Sequence, residues 1–311
     1  MKRAVVTGAG GFIGSALVRE LTAHGTEVIA LDREGCCGAL PQGAQFVPFD
    51  LANIADVTPR LAEMKPDVYF HLAWFGMNGS TRGEPAVQLK NTEWTLSALE
   101  QAKQAGCARF VGAGSIMEYE TYSAVMRQGN RPGAGYVYGA AKLAARSMCM
   151  VQAARLGIDI VWAEITNAYG VGENSPRLIN STLRKIIGGE PLEFTAATQN
   201  YDFVYIDDVA RAFRLIAENG APFSHYLIGS SGAKPLREFL LEIKRAVAPD
   251  REFVFGAVPF TGVSLSAQEL DCSLTERDTG FRAQIPFSEG IKKTMEWLKS
   301  GEKSAEAILK G

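Results

Sequence analysis

The 311-residue sequence has few of the residues that build metal sites or disulfide frameworks. It contains three scattered histidines, and its five cysteines are odd in number and show no metal-ligand spacing. We therefore predict no metal centre. The same cysteine usage is typical of a reducing compartment, which favours the cytoplasm.

Excess charge and long apolar runs are also lacking. The formal net charge is −2, which argues against a general nucleic-acid or anionic-membrane binder. No apolar run reaches the roughly 18 residues needed to span a bilayer, and the first glycines come too early for the apolar region of a signal peptide. With 47% hydrophobic and 21% charged residues, the composition is that of a globular enzyme-sized protein.

The first fourteen residues, MKRAVVTGAGGFIG, combine a β-rich run, a glycine-rich turn and the start of an amphipathic helix. Gly8 permits a tight turn, Gly11 lacks the Cβ that would block a pyrophosphate, and Gly14 lets helix and strand pack closely. The free N–H groups of the helix then face the phosphates. We predict a dinucleotide site here, with contacts from Phe12 and Ile13.

Asp32 ends the second predicted strand, 18 residues after Gly14. A carboxylate at this point can accept both ribose hydroxyls and repels a 2′-phosphate, which favours NAD(H). Arg33 acts in the opposite direction, because a guanidinium can pair with the extra phosphate of NADP(H). We expect NAD(H) over NADP(H); a solvated turn acid is the structural alternative for Asp32.

Strand and helix patterns alternate through the first half of the chain, which indicates a parallel sheet covered on both faces. We predict an α/β, doubly wound Rossmann fold with a smaller, interwoven C-terminal α/β lobe. The Rossmann domain comprises residues 1–166, with 202–230 returning to it, and the substrate lobe comprises 167–201 and 231–311.

Tyr138 and Lys142 lie four positions apart on a predicted helix over 136–154 and therefore share one face. The Lys142 ammonium is expected to lower the phenol's pKa from about 10 towards neutrality. Tyr138 can then exchange a proton with a sugar oxygen while hydride moves at the adjoining carbon. Ser115, at the end of the preceding strand, would hold the same oxygen. The intervening stretch, 117–135, is predicted to be irregular.

Together these motifs resemble those of the extended short-chain dehydrogenase/reductases, the NAD-dependent epimerase/dehydratase family acting on nucleotide sugars. The resemblance runs nearly end to end. It implies that Ser115, Tyr138 and Lys142 are catalytic and that a nucleoside diphosphate sugar is the substrate. Besides the glycine turn, Asp32 and Arg33, it implies cofactor contacts from Asp50, Leu51, Leu72, Ala73, Asn91, Tyr138 and Lys142. The implied substrate contacts are Trp74, Met117, Asn167, Arg177 and Tyr201.

The chain departs from the family pattern at two positions where an arginine is usual. Tyr201 precedes the Asp-Phe-Val-Tyr segment, and Glu164 lies three residues before the Asn-x-Tyr-Gly turn. We expect the nucleotide contact that the family's arginine usually makes to be lost, or to be supplied by Arg177, Lys185 or another basic side chain.

The residues after Ser115 separate the reactions of the family. The 4,6-dehydratases carry an acid and a base where this chain has Ile116 and Met117, and neither of these can move a proton. The 3,5-epimerase/reductases carry a cysteine at the position of Met117. Dehydration is therefore not expected, and Glu118 is interpreted as a rim or structural carboxylate.

Two reactions need only the Ser, Tyr and Lys trio with a nicotinamide. We predict a 4-keto-6-deoxy nucleotide-sugar reductase with Tyr138 as general acid. The alternative is a nucleotide-sugar C4 epimerase with tightly bound NAD. A non-catalytic dinucleotide-sensing regulator is a remote alternative, since such relatives typically lose the Tyr/Lys pair. The resemblance also implies a homodimer formed by the helices over 91–103 and 136–154.

Overall fold

The computed structural model describes residues 1–38, 40–126 and 131–309, with side chains as far as residue 301. The strands are β1 (Arg3–Thr7), β2 (Glu27–Asp32), β3 (Ala44–Pro48), β4 (Val68–His71), β5 (Arg109–Ser115), β6 (Asp159–Ile165), β7 (Asn167–Tyr169), β8 (Glu193–Phe194), β9 (Asn200–Tyr201), β10 (Phe203–Tyr205), β11 (Ser224–Ile228), β12 (Lys234–Pro235) and β13 (Val254–Phe255). The α-helices are α1 (Phe12–Ala23), α2 (Ile54–Met64), α3 (Pro85–Gln104), α4 (Met117–Met126), α5 (Tyr136–Leu156), α6 (Leu178–Ile187), α7 (Ile206–Asn219), α8 (Leu236–Val247), α9 (Ser273–Thr279) and α10 (Phe287–Leu309).

Seven of the strands form one parallel sheet in the order β11-β6-β5-β4-β1-β2-β3. Ala4 of β1 pairs with Val28 on one side and with Val68 on the other. The chain therefore winds outward from β1 in both directions, which confirms the predicted Rossmann fold. In such sheets ligands bind at the carboxyl ends of the strands where the winding direction reverses, here between β1 and β4.

Neighbouring residues of β1 point into two different cores, because successive side chains of a strand face opposite ways. Val6 packs in a cluster with Leu17 of α1 and Phe213 of α7. Val5 belongs to the cluster on the other face, with Leu99 of α3 and Ala145 of α5. Helices thus cover both faces, which is why the central strands are apolar along their whole length.

Helix α7 covers α1 although almost 200 residues separate them in the chain. The side chain of Arg214 in α7 forms an ion pair with Glu20 in α1 at 2.8 Å. The neighbouring strand β11 adds to the edge of the sheet beside β6. The segment after residue 202 is therefore part of the sheet-and-helix layers; the exact boundaries of the two lobes stay a prediction.

The stretch after Ser115 was expected to be irregular, but residues 117–126 form helix α4, which packs against α5. A capping box explains its start. The Ser115 hydroxyl accepts a hydrogen bond from Met117 N (3.2 Å), and the Glu118 carboxylate accepts one from Ser115 N (2.9 Å). Residues 127–130 of the predicted irregular stretch lie outside the described residues.

The segments after β6 also build three small two-stranded sheets: β7 with β10, β9 with β12, and β8 with β13. Aromatic rings from separate segments fill the space between them; Phe203 lies 5.0 Å from Phe239 and 5.5 Å from Phe287 between ring centroids. This packing holds β7 and β10 beside the carboxyl end of the main sheet. None of the helices in the described part of the chain has the length and hydropathy to cross a bilayer.

Candidate active site

The glycine turn connects β1 to α1 through very close backbone contacts. Gly8 has a φ of +69°, and a Cβ there would lie 2.9 Å from Ala73 N. A Cβ on Gly14 would lie 2.0 Å from the Gly8 carbonyl oxygen. A Cβ on Gly11 would have only that oxygen within 4 Å, at 3.2 Å, so the remaining space around Gly11 is open. The turn therefore fits a phosphate group approaching its backbone.

Thr7, the last residue of β1, fixes the end of β4 to this turn. Its buried hydroxyl accepts hydrogen bonds from Leu72 N (3.1 Å) and Ala73 N (3.2 Å). It also lies 3.1 Å from Nδ1 of His71. Burial lowers the pKa of His71 to about 3, so the imidazole is neutral and Nδ1 can accept the hydroxyl proton. Thr7 was not predicted as a site residue. Its position between the end of a strand and the first glycine of the turn could have indicated it.

Asp32 is tied to the same turn from the other side. One carboxylate oxygen accepts a hydrogen bond from Gly10 N and the other from Arg33 N, each at 2.8 Å. Carboxylate oxygens have further lone pairs, so both can still accept hydroxyl protons. A Cβ on Gly10 would lie 2.1 Å from the carbonyl oxygen of Cys36. Gly10, which we did not predict as a site residue, thus allows the segment after β2 to lie against the turn.

A cavity of about 820 Å³ runs from the glycine turn along the carboxyl ends of the strands. A second cavity of about 250 Å³ adjoins it, sharing Ser115, Tyr138 and Arg177 as lining residues. Every predicted site residue except Asn91 lines one of the two. The large cavity is lined by Gly8, Gly11, Phe12, Ile13, Gly14, Asp32, Arg33, Asp50, Leu51, Leu72, Ala73, Trp74, Ser115, Tyr138, Lys142 and Arg177. The small cavity adds Met117, Asn167 and Tyr201.

Asn91 lies behind the cavity wall. Its side-chain oxygen accepts a hydrogen bond from Phe75 N (2.8 Å), and its amide nitrogen donates to Phe75 O (2.8 Å) and Val87 O (3.1 Å). These bonds use the side chain's capacity on backbone groups. The structure thus does not bring Asn91 to the cofactor region that the resemblance implied; it anchors the loop after β4.

Ser115, Tyr138 and Lys142 lie together on the wall of the large cavity, beside the glycine turn. The Ser115 side chain lies close enough to the Tyr138 phenol to lower the phenol's pKa. The Lys142 ammonium donates to Ala113 O (2.7 Å) and lies 3.7 Å from the ring centroid of Trp74. Trp74 in turn meets Tyr138 edge to face, with 5.8 Å between ring centroids. The trio is held in place by backbone and aromatic contacts.

The electrostatics of Tyr138 differ from the expectation. Burial raises the pKa of its phenol above the ordinary value, and the charges of Arg82 and Arg177 offset this only in part. The Arg82 guanidinium carbon lies 4.6 Å from the Tyr138 ring centroid. Burial also lowers the pKa of Lys142 to about 7, against the opposing charge of Glu118. The expectation that Lys142 brings the phenol's pKa towards neutrality is therefore wrong for this structure, because desolvation outweighs the nearby cations.

A buried polar cluster lies directly behind Ser115. Glu118 accepts hydrogen bonds from Ser115 N and from Trp162 Nε1 (3.1 Å). Glu164 pairs with Arg146. Burial and mutual repulsion raise the pKa of Glu164 in the pair, so a shared proton between the two carboxyl groups fits better than two charges. Glu118 is thus structural and not on the rim, and Glu164 faces inward, away from any nucleotide.

The small cavity has several polar side chains that were not predicted, among them Arg82 and Glu120. Arg82 comes from a 3₁₀ turn before α3, and Glu120 comes from α4. Neither belongs to a recognisable motif. Glu120 lies in the stretch that was expected to be irregular, so its direction could not be predicted from helical spacing.

The parallel sheet, the glycine turn where its winding reverses, and the Ser, Tyr and Lys beside it define a short-chain dehydrogenase/reductase of the extended type. The chain belongs to the NAD dependent epimerase/dehydratase family, whose profile it matches over residues 4–229.

Curated relatives of the chain carry out several reactions. It is 29% identical to a UDP-glucose 4-epimerase of Mycolicibacterium smegmatis, over 96% of this chain and 99% of the relative. It is also 29% identical to dTDP-6-deoxy-L-talose 4-dehydrogenase (NAD(P)(+)) of Kitasatospora kifunensis, over 93% of each chain. A probable dTDP-glucose 4,6-dehydratase of Sinorhizobium fredii is 26% identical, over 96% and 93%.

Solved structures give the same picture of the fold. The UDP-glucose 4-epimerase of Thermotoga maritima, solved with UDP-glucose, superimposes with a TM-score of 0.79 at 22% identity, covering 96% of this chain and 99% of that one. MoeE5, solved with UDP-glucuronic acid and NAD, gives a TM-score of 0.76 at 27% identity, covering 97% and 100%. Sequence and fold therefore agree on the NAD dependent epimerase/dehydratase family.

Proposed function

We propose that this protein reduces the 4-keto group of a nucleoside diphosphate 6-deoxy sugar, with Tyr138 as the general acid. The observation that carries the proposal is the arrangement of Ser115, Tyr138 and Lys142 on one wall of the large cavity, beside the glycine turn. A serine hydroxyl and a protonated phenol on one wall can both hydrogen-bond a substrate carbonyl oxygen, and the phenol can donate the proton that reduction requires.

Each member of the trio has a separate task in this proposal. The Ser115 hydroxyl donates a hydrogen bond to the substrate carbonyl and polarises it. Tyr138 transfers its proton to the same oxygen. Lys142 contributes positive charge behind the phenol while its ammonium is protonated. A nicotinamide dinucleotide bound along the glycine turn supplies the hydride.

The fit of the chain to such a cofactor rests on its own backbone. The turn around Gly11 is open towards the large cavity, and the Asp32 carboxylate lies on the same wall with acceptor capacity left. We propose NAD(H) over NADP(H), since a 2′-phosphate would meet the Asp32 charge. The NAD complex of MoeE5 supports this choice.

C4 epimerisation is the second candidate. It uses the same trio in both directions and is supported by the 29% identity to the Mycolicibacterium smegmatis epimerase. Reduction is supported by the equal identity to the 4-dehydrogenase, because the reverse of dehydrogenation at C4 is reduction of a 4-ketone.

The two candidates differ in their cofactor balance, which gives the test. Purified protein is incubated with a 4-keto sugar, dTDP-4-keto-6-deoxyglucose, and with UDP-glucose, while NADH and NADPH absorbance at 340 nm is followed. Stoichiometric loss of reduced cofactor with the ketone supports the reductase. Sugar conversion without net cofactor change would instead establish the epimerase, and no conversion in either assay with retained NADH binding would favour a dinucleotide sensor.

We also propose a homodimer in which α3 and α5 pack against their copies. Leu99 faces the protein's own core, but Leu89 of α3 and Met148 and Val151 of α5 are exposed apolar side chains on this pair of helices. Sedimentation equilibrium tests the assembly. Val151→Glu should yield monomers, whereas a wild-type protein that is monomeric at micromolar concentration would contradict it.

A further inference from the structure

The small cavity beside the catalytic trio contains a carboxyl group without an assigned task. Glu120 lines this cavity together with Ser115 and Tyr138. A second carboxylate, Glu173, lines the same cavity; one of its oxygens accepts hydrogen bonds from the backbone and hydroxyl of Ser175, and the other has no hydrogen-bond partner among the described residues. Glu120 differs from Glu173 in coming from α4, the helix that begins directly after Ser115.

Glu120 lies on the cavity-facing side of α4. Met117 and Glu120 are three residues apart on α4 and so lie on neighbouring turns of one face. Both line the small cavity, together with Ser115 and Tyr138. The face of α4 that carries the apolar side chain of Met117 therefore also presents a carboxyl group to this cavity.

The surroundings of Glu120 suit proton transfer. Arg82 is the charged group that acts on Glu120, and the Glu120 charge in turn helps to raise the pKa values of the neighbouring phenols of Tyr136 and Tyr201. Burial raises the pKa of Glu120 to about 7, against the lowering effect of Arg82. Among the described residues, none forms a hydrogen bond with Glu120 that would shift its pKa. A carboxyl with such a pKa is divided between its two protonation states near neutral pH, as an efficient acid–base group requires.

We propose that Glu120 is a second proton-transfer residue, which removes and returns the proton of a sugar carbon adjacent to the C4 ketone. This inference rests on the proposed action at a 4-keto nucleotide sugar. It gives the protein a further activity, the exchange of a carbon-bound proton with solvent, beside hydride transfer.

The step balances without any added reactant. The Glu120 carboxylate takes the proton, the C–H electron pair forms the carbon–carbon double bond of an enolate, and the carbonyl π pair moves to O4. Ser115 and Tyr138 hydrogen-bond the resulting oxyanion. Return of a proton from Glu120 regenerates the ketone, and in D₂O the returned particle is a deuteron after exchange of the carboxyl with solvent.

The test is deuterium incorporation into dTDP-4-keto-6-deoxyglucose. The protein is incubated with this ketone and NAD⁺ in D₂O, where no reduction can take place, and the mass of the recovered sugar nucleotide is followed. Parallel samples in H₂O with NADH measure hydride transfer. Glu120→Gln keeps the size of the side chain and removes the base, Glu120→Asp keeps a carboxylate, and Glu63→Gln on the exposed surface of α2 is the matched control.

We expect wild-type protein and the Glu63→Gln control to add deuterium above the enzyme-free rate. Glu120→Gln should lower the ratio of exchange to hydride transfer about 10²-fold or more, with partial recovery in Glu120→Asp. A purely structural role would lower both rates by one factor and leave the ratio unchanged, which would overturn the inference.

The two proposals fail in different ways. Hydride transfer without deuterium incorporation overturns the role of Glu120 and leaves the reductase standing. Incorporation that depends on Glu120 without hydride transfer supports this inference and overturns the reductase. The absence of both across a panel of dTDP-, UDP- and GDP-linked 4-keto sugars overturns both.

Discussion

The two ends of the large cavity are built from different parts of the polypeptide. At the glycine-turn end the wall is mainly backbone, held by Thr7 and Asp32 through hydrogen bonds to main-chain N–H groups. At the other end the wall consists of side chains from separate elements, such as Trp74, Tyr138 and Arg177. The first end depends on how closely the backbones of the glycine turn and of the segments after β2 and β4 approach one another, whereas the second depends on which side chains distant elements bring together.

The two ends therefore differ in what determines them: the absence of side chains at the turn, and the kind of side chains at the opposite end. Main-chain groups at the turn have the same hydrogen-bonding capacity whatever the side chains, so that end is specified by where a side chain is absent. The opposite end is specified by which side chains are present and by their burial, which moves the pKa values of Tyr138 and Lys142. Substitutions at the two ends should therefore fail in distinct ways.

The largest expected effect is at the side-chain end. Tyr138→Phe removes the proton donor and should lower kcat for 4-keto reduction by about 10²–10⁴-fold. Its dissociation constant for NADH should stay within a factor of about three of wild type, measured by fluorescence titration, because the turn is untouched. A loss of NADH binding equal to the loss of turnover would break the distinction between the two ends.

The backbone end is tested by Gly14→Ala. The added Cβ would lie 2.0 Å from the Gly8 carbonyl oxygen, so helix α1 must shift away from the turn, at a cost of about 1–3 kcal/mol. We expect a lower free energy of unfolding in urea and weaker NADH binding. Gly25→Ala is a control for overpacking, since nothing lies within 4 Å of a Cβ there, although its positive φ carries a smaller strain of its own. Equal behaviour of the two variants would contradict the close contact.

The buried cluster behind Ser115 should make stability depend on pH. Burial raises the pKa of Glu164, so the folded protein keeps a proton that the unfolded chain releases above the ordinary carboxyl pKa of about 4.3. Stability from this group is complete below that pH and decreases as the pH rises towards neutrality. Glu164→Gln stays neutral and should flatten this decrease by about 1 kcal/mol between pH 5 and 7.

Urea unfolding at several pH values checks this prediction, with Glu63→Gln as the exposed control. A parallel pH dependence in wild type and Glu164→Gln would show that another group is responsible. The buried cluster lies behind the side-chain end of the cavity. This prediction therefore tests the residues that support that end as well as those on its wall.

An effect on kinetics much smaller than that of Tyr138→Phe is expected at Asp32, where a side chain modifies an end that is mainly backbone. Asp32→Asn removes the negative charge and should shift the ratio of kcat/KM for NADPH over NADH by about tenfold towards NADPH, equivalent to about 1.4 kcal/mol. Arg33→Gln is the matched variant and should shift the ratio in the opposite direction. A ratio that neither substitution changes would remove both residues from cofactor selection.

The sequence predicted the backbone end better than the side-chain end, for a physical reason. The glycines and Asp32 lie close together in the sequence, so they could be placed from their spacing alone. Apolar strands that alternate with helices along the chain predicted the parallel sheet. Helix α4 was missed because the capping box from Ser115 to Glu118 was interpreted as a catalytic serine, two apolar residues and a rim or structural carboxylate. Arg82 reaches Tyr138 from a loop, and no periodicity predicts such a contact.

The burial of charge could not be predicted from sequence either. A lysine four residues from a tyrosine predicts a shared helix face, but whether its charge dominates depends on desolvation by Trp74 and the sheet. Asn91 shows the same limit: the helix was predicted to begin there, but α3 begins at Pro85, and the sequence did not reveal that the Asn91 amide binds the backbone of Phe75.

The packing of α7 over α1 has a consequence for synthesis of the protein on the ribosome. The apolar face of α1 leaves the exit tunnel early, but its cover, including Arg214, is translated almost 200 residues later. At roughly 5–20 residues per second, that face waits about 10–40 s for its partner. During this interval the apolar face of α1 lacks the helix that covers it in the folded protein, and exposed apolar surface of this kind makes a folding intermediate prone to aggregate.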